Sequence, residues 1–221
     1  ENEIRITNTK LELEQVLAQQ KKQKASLTQD RKQRKQIIAS LDKELTQKGK
    51  HLTQLEEDAL ELRQLIDSVT EILDDIPAAE PHKKFSTLKG KLAWPVKGKV
   101  NQVFGRAKPP TSLRWQGITI NARLGNNVRA VSHGRIAFSD WLRGMGNLII
   151  IDHGEGYLSL YGHNQSLYKA AGEWVEAGDI IASIGDSGGQ KDPGLYFEIR
   201  RKGKPLNPAQ WCKTSNWFAT S

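Results

Sequence analysis

The stretch Gly146–His163 reads GNLIIIDHGEGYLSLYGH, and it decides the fold of the second half of the chain. Two β-rich runs flank the turn signal Gly154-Glu155-Gly156, a pattern that predicts a β-hairpin. Further short runs of the same texture lie on either side, separated by glycine and proline: KLAWPVKGKV, GITINARLG, NVRAVSHGRIAFSDW, DIIASIG and LYFEIRRKGKPLNP. No long segment between them spaces its apolar residues with the 3.6-residue period of a helix. The sequence therefore predicts an all-β domain over residues 88–221.

The first part of the chain has the composition of a long helix. Residues 1–76 contain no proline and one glycine, Gly49, among many Gln, Lys, Glu and Leu. From Ile38 onward, apolar residues recur at steps of three and four, and such a coiled-coil stripe must be buried. Gly49 is a candidate kink or helix end. We expect an α + β multidomain protein with a coiled-coil segment at 1–48, an acidic amphipathic helix at 50–76, a linker at 77–87 and the β domain at 88–221.

The two parts differ in charge. The formal net charge is +8 and the pI about 9.5, which favours an anionic partner, although no nucleic-acid reader motif is present. Residues 82–221 hold 20 Lys/Arg against 9 Asp/Glu, whereas residues 56–75 hold 8 Asp/Glu against Arg63 alone. Two interpretations stay open: a solvated acidic face, or a helix that folds back onto the basic domain with residues 76–81 as the hinge.

Two further features bear on the environment of the chain. Its single cysteine, Cys212, excludes an intramolecular disulfide framework. No apolar run approaches the ~20 residues that cross a bilayer. Because the chain starts at Glu1 without a methionine, we expect a fragment or a mature form that lacks any signal peptide.

Five blocks occur in a characteristic order: GITI, VRAVSHGRI, GMGNLIIIDHGEGYLSLYGHN, AGEWVEAGDIIASIGDSGG and GLYFEIRRKGKPLNP. In this order they resemble the LytM (lysostaphin-like) zinc endopeptidases, which cleave peptidoglycan cross-bridges. The resemblance covers roughly residues 92–208. Any one block is a weak signal, and five in sequence are a specific one.

The residues at the metal positions depart from the family pattern. Active members carry His-x-Gly-x-Asp in the first block, and here Trp115–Thr119 reads WQGIT. They carry His-x-His in the last block, and here Gly194–Tyr196 reads GLY, so that only His163 keeps an active-site position. A catalytic zinc needs three protein ligands, and its water becomes nucleophilic only on the metal. We therefore expect no metal, no other cofactor and no hydrolysis.

The vacated site predicts a groove that binds a partner. If Tyr196 faces the old active site, strand alternation places Glu198 and Arg200 on the same wall. Aromatic, Met and Arg side chains are enriched at protein interfaces. In the alternative interpretation, Trp115 and Tyr196 merely fill the vacated metal cavity. The predicted groove comprises Trp115, Gln116, Thr119, Met145, Leu148, His163, Tyr196, Glu198 and Arg200.

The acidic helix is a candidate regulator of that groove. Its apolar stripe and acidic face, joined by a short hinge to a basic domain, suggest that it shields the groove at rest. We call this the autoinhibitory helix hypothesis. The positions expected to face the domain are Leu55, Leu62, Ile66, Val69 and Leu73.

The stretches LRWQGI, SDWLRGMG, SLYGHNQS and SGGQKDPGLYFEIRR are similar to those of non-catalytic LytM activators that carry an N-terminal coiled coil. This resemblance implies a periplasmic activator of N-acetylmuramyl-L-alanine amidases at the division septum. It also implies that the groove binds the amidase and that the FtsEX membrane complex binds the coiled coil.

Three other functions stay open. An active zinc endopeptidase is disfavoured by the missing ligands. A periplasmic adaptor is suggested because AGEWVEAGDIIASIG resembles lipoyl-like hairpins, although here the coil lies wholly before the β domain. A peptidoglycan-binding module could use the positive charge to hold anionic glycan.

Overall fold

The computed structural model describes residues 2–74, 84–102, 104–107 and 113–213. They fall into two compact units, Glu1–Thr53 and Gln54–Ser221. One helix, α1, begins at Asn2 and ends at Asp74. Gly49 lies inside this helix, so the expectation that the helix could end there is wrong. A glycine costs a helix only about 1 kcal/mol relative to alanine, and good helix formers surround this one.

The first unit leaves large apolar side chains of α1 exposed, among them Ile38 and Leu41. Pairing of this segment with a second helix therefore stays a prediction. None of the helices in the described ranges is long and apolar enough to cross a membrane.

The second unit contains the predicted β domain. In the described residues its strands are β1 Lys99–Gln102, β2 Ile118–Asn121, β3 Asn127–Arg129, β4 Gly134–Leu142, β5 Gly146–Asp152, β6 Tyr157–Leu167, β7 Trp174–Val175, β8 Ile180–Ile184, β9 Gly194–Arg201 and β10 Lys204–Leu206. Short 3-10 helices span Phe85–Leu88 and Pro208–Gln210. The all-β prediction for this domain is confirmed.

The strands form one sheet in which every pairing is antiparallel. Its main order is β1-β2-β9-β6-β5-β4-β7, with β10 beside β9 and β8 bridging β6 and β3. β5 and β6 are the two arms of the hairpin predicted from GNLIIIDHGEGYLSLYGH. Its turn places Gly154, Glu155 and Gly156 at φ values of 76°, 56° and 74°, the left-handed region that glycine adopts without strain.

Strand alternation divides the sheet into two apolar faces. We call inner face the side that carries Ile149, Tyr161 and Phe197, which are aligned across β5, β6 and β9 and fully buried in the larger core cluster. We call outer face the side that carries Ile150 and Leu160, a cross-strand pair in the second cluster. Because both faces of the sheet are covered, residues 148–151 of β5 are all apolar and do not alternate with polar residues.

A chain of hydrogen bonds crosses the inner-face core. The backbone N–H of Val131 donates to Tyr161 Oη (3.1 Å), which lies 3.0 Å from Ser159 Oγ. His153 Nε2 lies 2.7 Å from Ser159 Oγ, and its Nδ1 lies 2.7 Å from the His133 carbonyl oxygen. Because a carbonyl only accepts, Nδ1 carries the hydrogen and Nε2 accepts from Ser159. Burial lowers the pKa of His153 to about 4 and raises that of Tyr161.

The chain enters the β domain earlier than residue 88. Phe85 is buried, and its ring stacks on His153 at 4.4 Å and on Trp211 at 5.2 Å. Glu155, in the β5–β6 turn, accepts a hydrogen bond from Ser86 (3.0 Å) and lies 3.4 Å from Lys84 Nζ. The core therefore includes a residue that the sequence assigned to the linker.

Candidate functional site

The last part of α1 packs on the outer face of the sheet. We call residues 54–74 the arm. Its Leu62, Ile66 and Val69 are 5%, 0% and 6% exposed, at the i, i+4, i+7 spacing of one helical face. Leu62 and Ile66 form one cluster with five residues of β4, β5, β6 and their borders: Leu142, Leu148, Ile150, Leu158 and Leu160.

The other predicted positions of the arm behave differently. Leu55 is only half-buried, and the side chain of Leu73 lies outside the described residues. Leu65, which the stripe did not include, is partly buried against the same cluster. The buried face is thus centred on residues 62–69.

Opposite charges meet where the arm crosses the β4–β5 turn. Arg143 Nε lies 3.0 Å from Asp58 Oδ1 and 3.2 Å from Glu61 Oε2, and its Nη1 lies 3.5 Å from Glu57 Oε2. A Cβ added to the next residue, Gly144 (φ +75°), would lie within 3 Å of the Asp58 side chain. The arm therefore sits close to the turn backbone, and three carboxylates surround one guanidinium. We call this group the Arg143 ion cluster.

The outer face of β9 carries a buried polar row. Tyr196 Oη donates to Glu198 Oε2 (2.9 Å), and Arg200 Nε donates to Glu198 Oε1 (2.6 Å). Arg200 also donates to Gln116 Oε1 and to the Gly203 carbonyl (3.2 Å). Glu198 is 0% and Arg200 4% exposed. The row brings together the three β9 residues that alternation predicted on one wall.

Burial dominates the electrostatics of this row. Desolvation raises the pKa of Glu198, and the neighbouring Arg200 and Tyr196 offset part of that rise. Burial, followed by the proximity of Glu198, raises the pKa of the Tyr196 phenol well above its ordinary value. Arg200, which the groove prediction placed on the partner-binding wall, uses its guanidinium on Glu198, Gln116 and the Gly203 carbonyl, and its contact with a partner stays a prediction.

The residues at the family's metal positions do not suit zinc. Thr119 on β2 pairs with Tyr196 on β9, so a hydroxyl and a phenol face each other where the family has ligands. A Cβ at Gly117 would lie 2.9 Å from Tyr196 Cζ and 2.6 Å from the Phe197 carbonyl oxygen, so the phenol occupies this space. In the described part of the chain, no group of three or more His, Cys, Asp or Glu could hold a metal ion.

Two of the remaining predicted groove residues, His163 and Met145, lie at the Tyr196 end of the row. His163 adopts φ 63°, its Nδ1 lies 2.8 Å from the Ser187 carbonyl oxygen, and its ring centroid lies 6.2 Å from that of Tyr196. Met145 accepts the backbone N–H of His163 at 2.7 Å through its carbonyl. Trp115 lies ahead of β2, where its backbone pairs with Gly105 and Arg106.

The arm and the polar row occupy the same face. Leu160 contacts the arm's cluster and is the cross-strand partner of Glu198, and Leu158 is likewise the partner of Arg200. At the far side, a Cβ on Gly203 would lie 3.9 Å from Asp67 Oδ1. The arm therefore runs from the β4–β5 turn towards the β9–β10 turn, over the strands that carry the predicted groove.

Sequence reasoning missed Arg143 as a contact of the arm. The available signal was a lone arginine beside the glycine-rich turn GMG, in a domain that faces an acidic helix. It did not identify the partner, because 82 or more residues separate Arg143 from the carboxylates of Glu57, Asp58 and Glu61.

Comparisons with known proteins agree with this architecture. Residues 113–208 match the family described as Peptidase family M23, so the LytM resemblance of the β domain is confirmed. Murein hydrolase activator EnvC of Escherichia coli (strain K12) is 45% identical over 123 residues, which cover 56% of this chain and 29% of that protein. Murein hydrolase activator NlpD of the same organism is 40% identical over 119 residues, or 53% of this chain and 30% of that protein. The chain thus spans less than a third of the length of these curated relatives.

Two solved structures share the fold. A zinc containing peptidase from Vibrio cholerae superposes with a TM-score of 0.51 and 22% identity, over 55% of this chain and 40% of that one. A putative peptidase M23 from Pseudomonas aeruginosa gives a TM-score of 0.53 and 17% identity, over 68% of this chain and 60% of that one.

Proposed function

We propose that this chain, whose β domain is of the M23 type, is a non-enzymatic activator of periplasmic N-acetylmuramyl-L-alanine amidases in daughter-cell separation. Two relatives that are 45% and 40% identical are named murein hydrolase activators. At the family's metal positions Trp115, Thr119 and Tyr196 offer no zinc ligands of the usual His or Asp type, which supports a role that does not use a metal-bound hydroxide.

The observation that carries the regulatory part is the burial of the arm on the outer face. In this proposal the outer face is the amidase-binding groove and the arm is its intramolecular competitor. Ile66 is fully buried and belongs to the same cluster as Leu148 and Leu160. An amidase segment and the arm cannot both cover these leucines.

The tether makes the competition strong. Residues 75–83 connect the end of α1 to Lys84, and nine residues reach at most about 30 Å. Because this link is covalent and short, docking of the arm is intramolecular, and short links give effective concentrations in the millimolar range. An amidase at micromolar concentration therefore displaces the arm only if something else weakens arm docking.

We propose that this trigger acts through the N-terminal helix. The coiled-coil segment is the site that we assign to the FtsEX complex, at the septal membrane. Binding there would lower the affinity of the arm for the outer face.

The test uses the full chain with a purified amidase and dye-labelled sacculi. Ile66→Asp places a charge at a fully buried position, so it should release the arm and raise dye release well above that of the unaltered chain. Leu60→Asp is the matched control, since Leu60 lies on the same helix and is 56% exposed. Equal activity of the unaltered chain and Ile66→Asp would refute autoinhibition by the arm.

A parallel reaction without amidase separates the alternatives. Dye release by this chain alone would show an endopeptidase and would refute the non-enzymatic assignment.

A fragment that lacks the arm should begin at Lys84, not at residue 88, because Phe85 stacks on His153 and Trp211 in the core.

A further inference from the structure

The charges of the β domain are segregated along the chain. Residues 81–139 contain 12 Lys/Arg and no Asp/Glu, and residues 199–221 contain 5 Lys/Arg and no Asp/Glu. These two segments therefore hold 17 of the 20 Lys/Arg of residues 82–221, whereas all 9 Asp/Glu lie between Asp140 and Glu198. Where the fold places the two acid-free segments decides where positive charge accumulates.

The fold brings parts of both segments together at one end of the sheet. Leu92 forms a bridge with Cys212, and the ring of Phe85 stacks on Trp211 at 5.2 Å. Trp211 in turn contacts Tyr157, beside the β5–β6 turn, with 5.3 Å between the ring centroids. We call basic end the exposed cations around these residues: Lys84, Lys91, Arg201, Lys202, Lys204 and Lys213.

Three of these cations belong to the β9–β10 hairpin. The guanidinium carbon of Arg201 lies 5.0 Å from the centroid of the Tyr157 ring, and Lys204 is the cross-strand partner of Arg201. Lys202 donates its backbone N–H to the Gly156 carbonyl oxygen (2.8 Å). Paired residues share a face, and Tyr157 belongs to the inner-face core, so Arg201 and Lys204 lie on the inner-face side of the sheet.

The other three cations lie where the described chain enters and leaves the domain. Lys213 donates its backbone N–H to the Leu92 carbonyl oxygen (2.8 Å), which places it near Lys91. Lys84 precedes the buried Phe85, and its side chain is 73% exposed. Stretches that are more than 100 residues apart in the sequence thus contribute positive charge to the same end of the domain.

The carboxylates near the basic end do not offset its charge. Among the described residues, Glu155 pairs with a cation of this end, through Lys84 at 3.4 Å. The arm adds Asp67, whose Oδ1 would lie 3.9 Å from a Cβ on Gly203. The contrast is with Arg143, which meets three carboxylates at the β4–β5 turn. Six cations against two carboxylates leave the basic end with a net positive charge.

This arrangement favours an extended anionic surface as the partner. Five of the six cations are lysines, and they are spread around the end of the sheet. Lysine is a compact charge on a flexible stem and suits many scattered phosphates, whereas the planar fork of arginine suits a single bidentate contact. Polybasic clusters of about this size are attracted to bilayers that contain anionic phospholipids. We propose that the basic end binds the anionic headgroups of a lipid bilayer.

This inference goes beyond the proposed function, and its choice of ligand does not rest on it. Arg201 and Lys204 lie on the inner-face side, whereas the arm lies on the outer face. A bilayer at the basic end therefore leaves the outer face accessible. One molecule can then contact a lipid surface and a protein partner at the same time.

The experiment measures co-sedimentation of the full chain with two kinds of vesicle, phosphatidylcholine mixed with phosphatidylglycerol and phosphatidylcholine alone. The unaltered chain should bind the first kind only, and less as the ionic strength rises, because salt screens exposed charges. One lysine near an anionic surface raises the affinity about fivefold, so Lys204→Gln combined with Lys213→Gln should weaken binding about 30-fold. A second pair, Lys91→Gln with Lys202→Gln, should show the same loss. All four side chains are exposed, so both double variants should keep the urea midpoint of the unaltered chain.

Arg123→Gln combined with Lys191→Gln is the matched control. It removes the same net charge from exposed loop positions, next to the opposite end of β2 and β9 from Arg201. This control pair should weaken vesicle binding less than about fivefold, because its charges lie away from the basic end. An equal loss in the control pair would show that overall charge is sufficient, and would overturn the proposal.

The remaining outcomes separate this proposal from the proposed function. No binding of the unaltered chain to the phosphatidylglycerol vesicles overturns it. Retention on isolated sacculi that depends on Lys204 and Lys213, without vesicle binding, also overturns it and indicates an anionic glycan. Activation of a purified amidase in solution should be the same for the lysine variants and the unaltered chain; lost activation with unchanged vesicle binding overturns the proposal and identifies a protein-docking surface. If Ile66→Asp fails to activate while vesicle binding depends on these lysines, the basic end stands and the activator proposal falls.

Discussion

Replacing Arg143 by glutamine should weaken the docking of the arm on the outer face, while most of the arm population stays docked. Full burial of three aliphatic side chains on the arm contributes about 5–9 kcal/mol to docking, as an upper value. These are Leu62, Ile66 and Val69. The Arg143 ion cluster contributes less, because the Arg143 side chain is 42% exposed and exposed pairs are worth about 0.2–1 kcal/mol each. Three carboxylates, of which Asp58 is the most buried, bring the cluster to about 1–2 kcal/mol.

This magnitude fixes the expected measurement. Loss of about 1–2 kcal/mol raises the open population of the arm about 5- to 30-fold. Hydrogen exchange of the amides of residues 54–69 should accelerate by that factor in Arg143→Gln, while the amides of β5 and β6 stay protected. Raising the ionic strength should accelerate exchange in the unaltered chain and have little effect in the variant, because salt screens exposed ion pairs.

Two controls make the result decisive. Lys169→Gln removes a different surface ion pair, with Glu173 at 3.3 Å, and should leave arm exchange unchanged. Ile66→Asp should abolish protection of the arm altogether. If Arg143→Gln matches the unaltered chain, the cluster contributes nothing to docking. If it matches Ile66→Asp, the assignment of most docking energy to apolar burial is wrong.

Four further outcomes follow from the geometry. Tyr196→Phe removes the hydroxyl that donates to buried Glu198 and should lower the unfolding free energy by about 1–3 kcal/mol in urea titrations; an unchanged midpoint contradicts the bond. Arg200→Glu would set two buried carboxylates side by side and destabilise the domain by about 3–5 kcal/mol, whereas Arg200→Lys keeps the charge and should cost less; equal urea midpoints for the two variants contradict the buried ion pair. The pKa of His153 is about 4 in the folded state and 6.5 in the unfolded state, so the unfolded state binds more protons between these two pH values. The free energy of unfolding should therefore fall as the pH drops from 6.5 to 4, by at most about 3 kcal/mol. His153→Gln should flatten the dependence of the unfolding free energy on pH between about pH 7 and 4.5. Gly117→Ala would force a Cβ to 2.6 Å from a backbone oxygen, and its thermal unfolding midpoint should drop; an unaltered midpoint would refute the close packing under Tyr196.

Local pattern was enough to predict the elements and the sides of the strands. Alternation along LYFEIR places Tyr196, Glu198 and Arg200 on one side, because successive side chains of any strand point to opposite faces. The same reasoning placed Ile66 and Val69 on one side of the arm, because residues three and four apart share a helical face. These statements depend on a few neighbouring residues and need no knowledge of the rest of the fold.

Contacts between residues that lie far apart in the sequence could not be predicted from local pattern. Arg200 meets Gln116 from 84 positions away, and strand alternation, which gives only the side of the sheet, could not identify this partner. Gly49 looked like a helix end, yet the helix continues, because propensity is a weak local term that neighbouring helix formers outweigh.

By itself, the sequence determined an N-terminal helix, an all-β domain of the M23 type and the absence of the family's zinc ligands. The tertiary structure decided which surface the arm covers and which charges hold it. It also decided that the polar row of β9 is buried. The physical reason is that strand and helix periods are set by backbone geometry over a few residues, whereas docking depends on side chains brought together from distant positions.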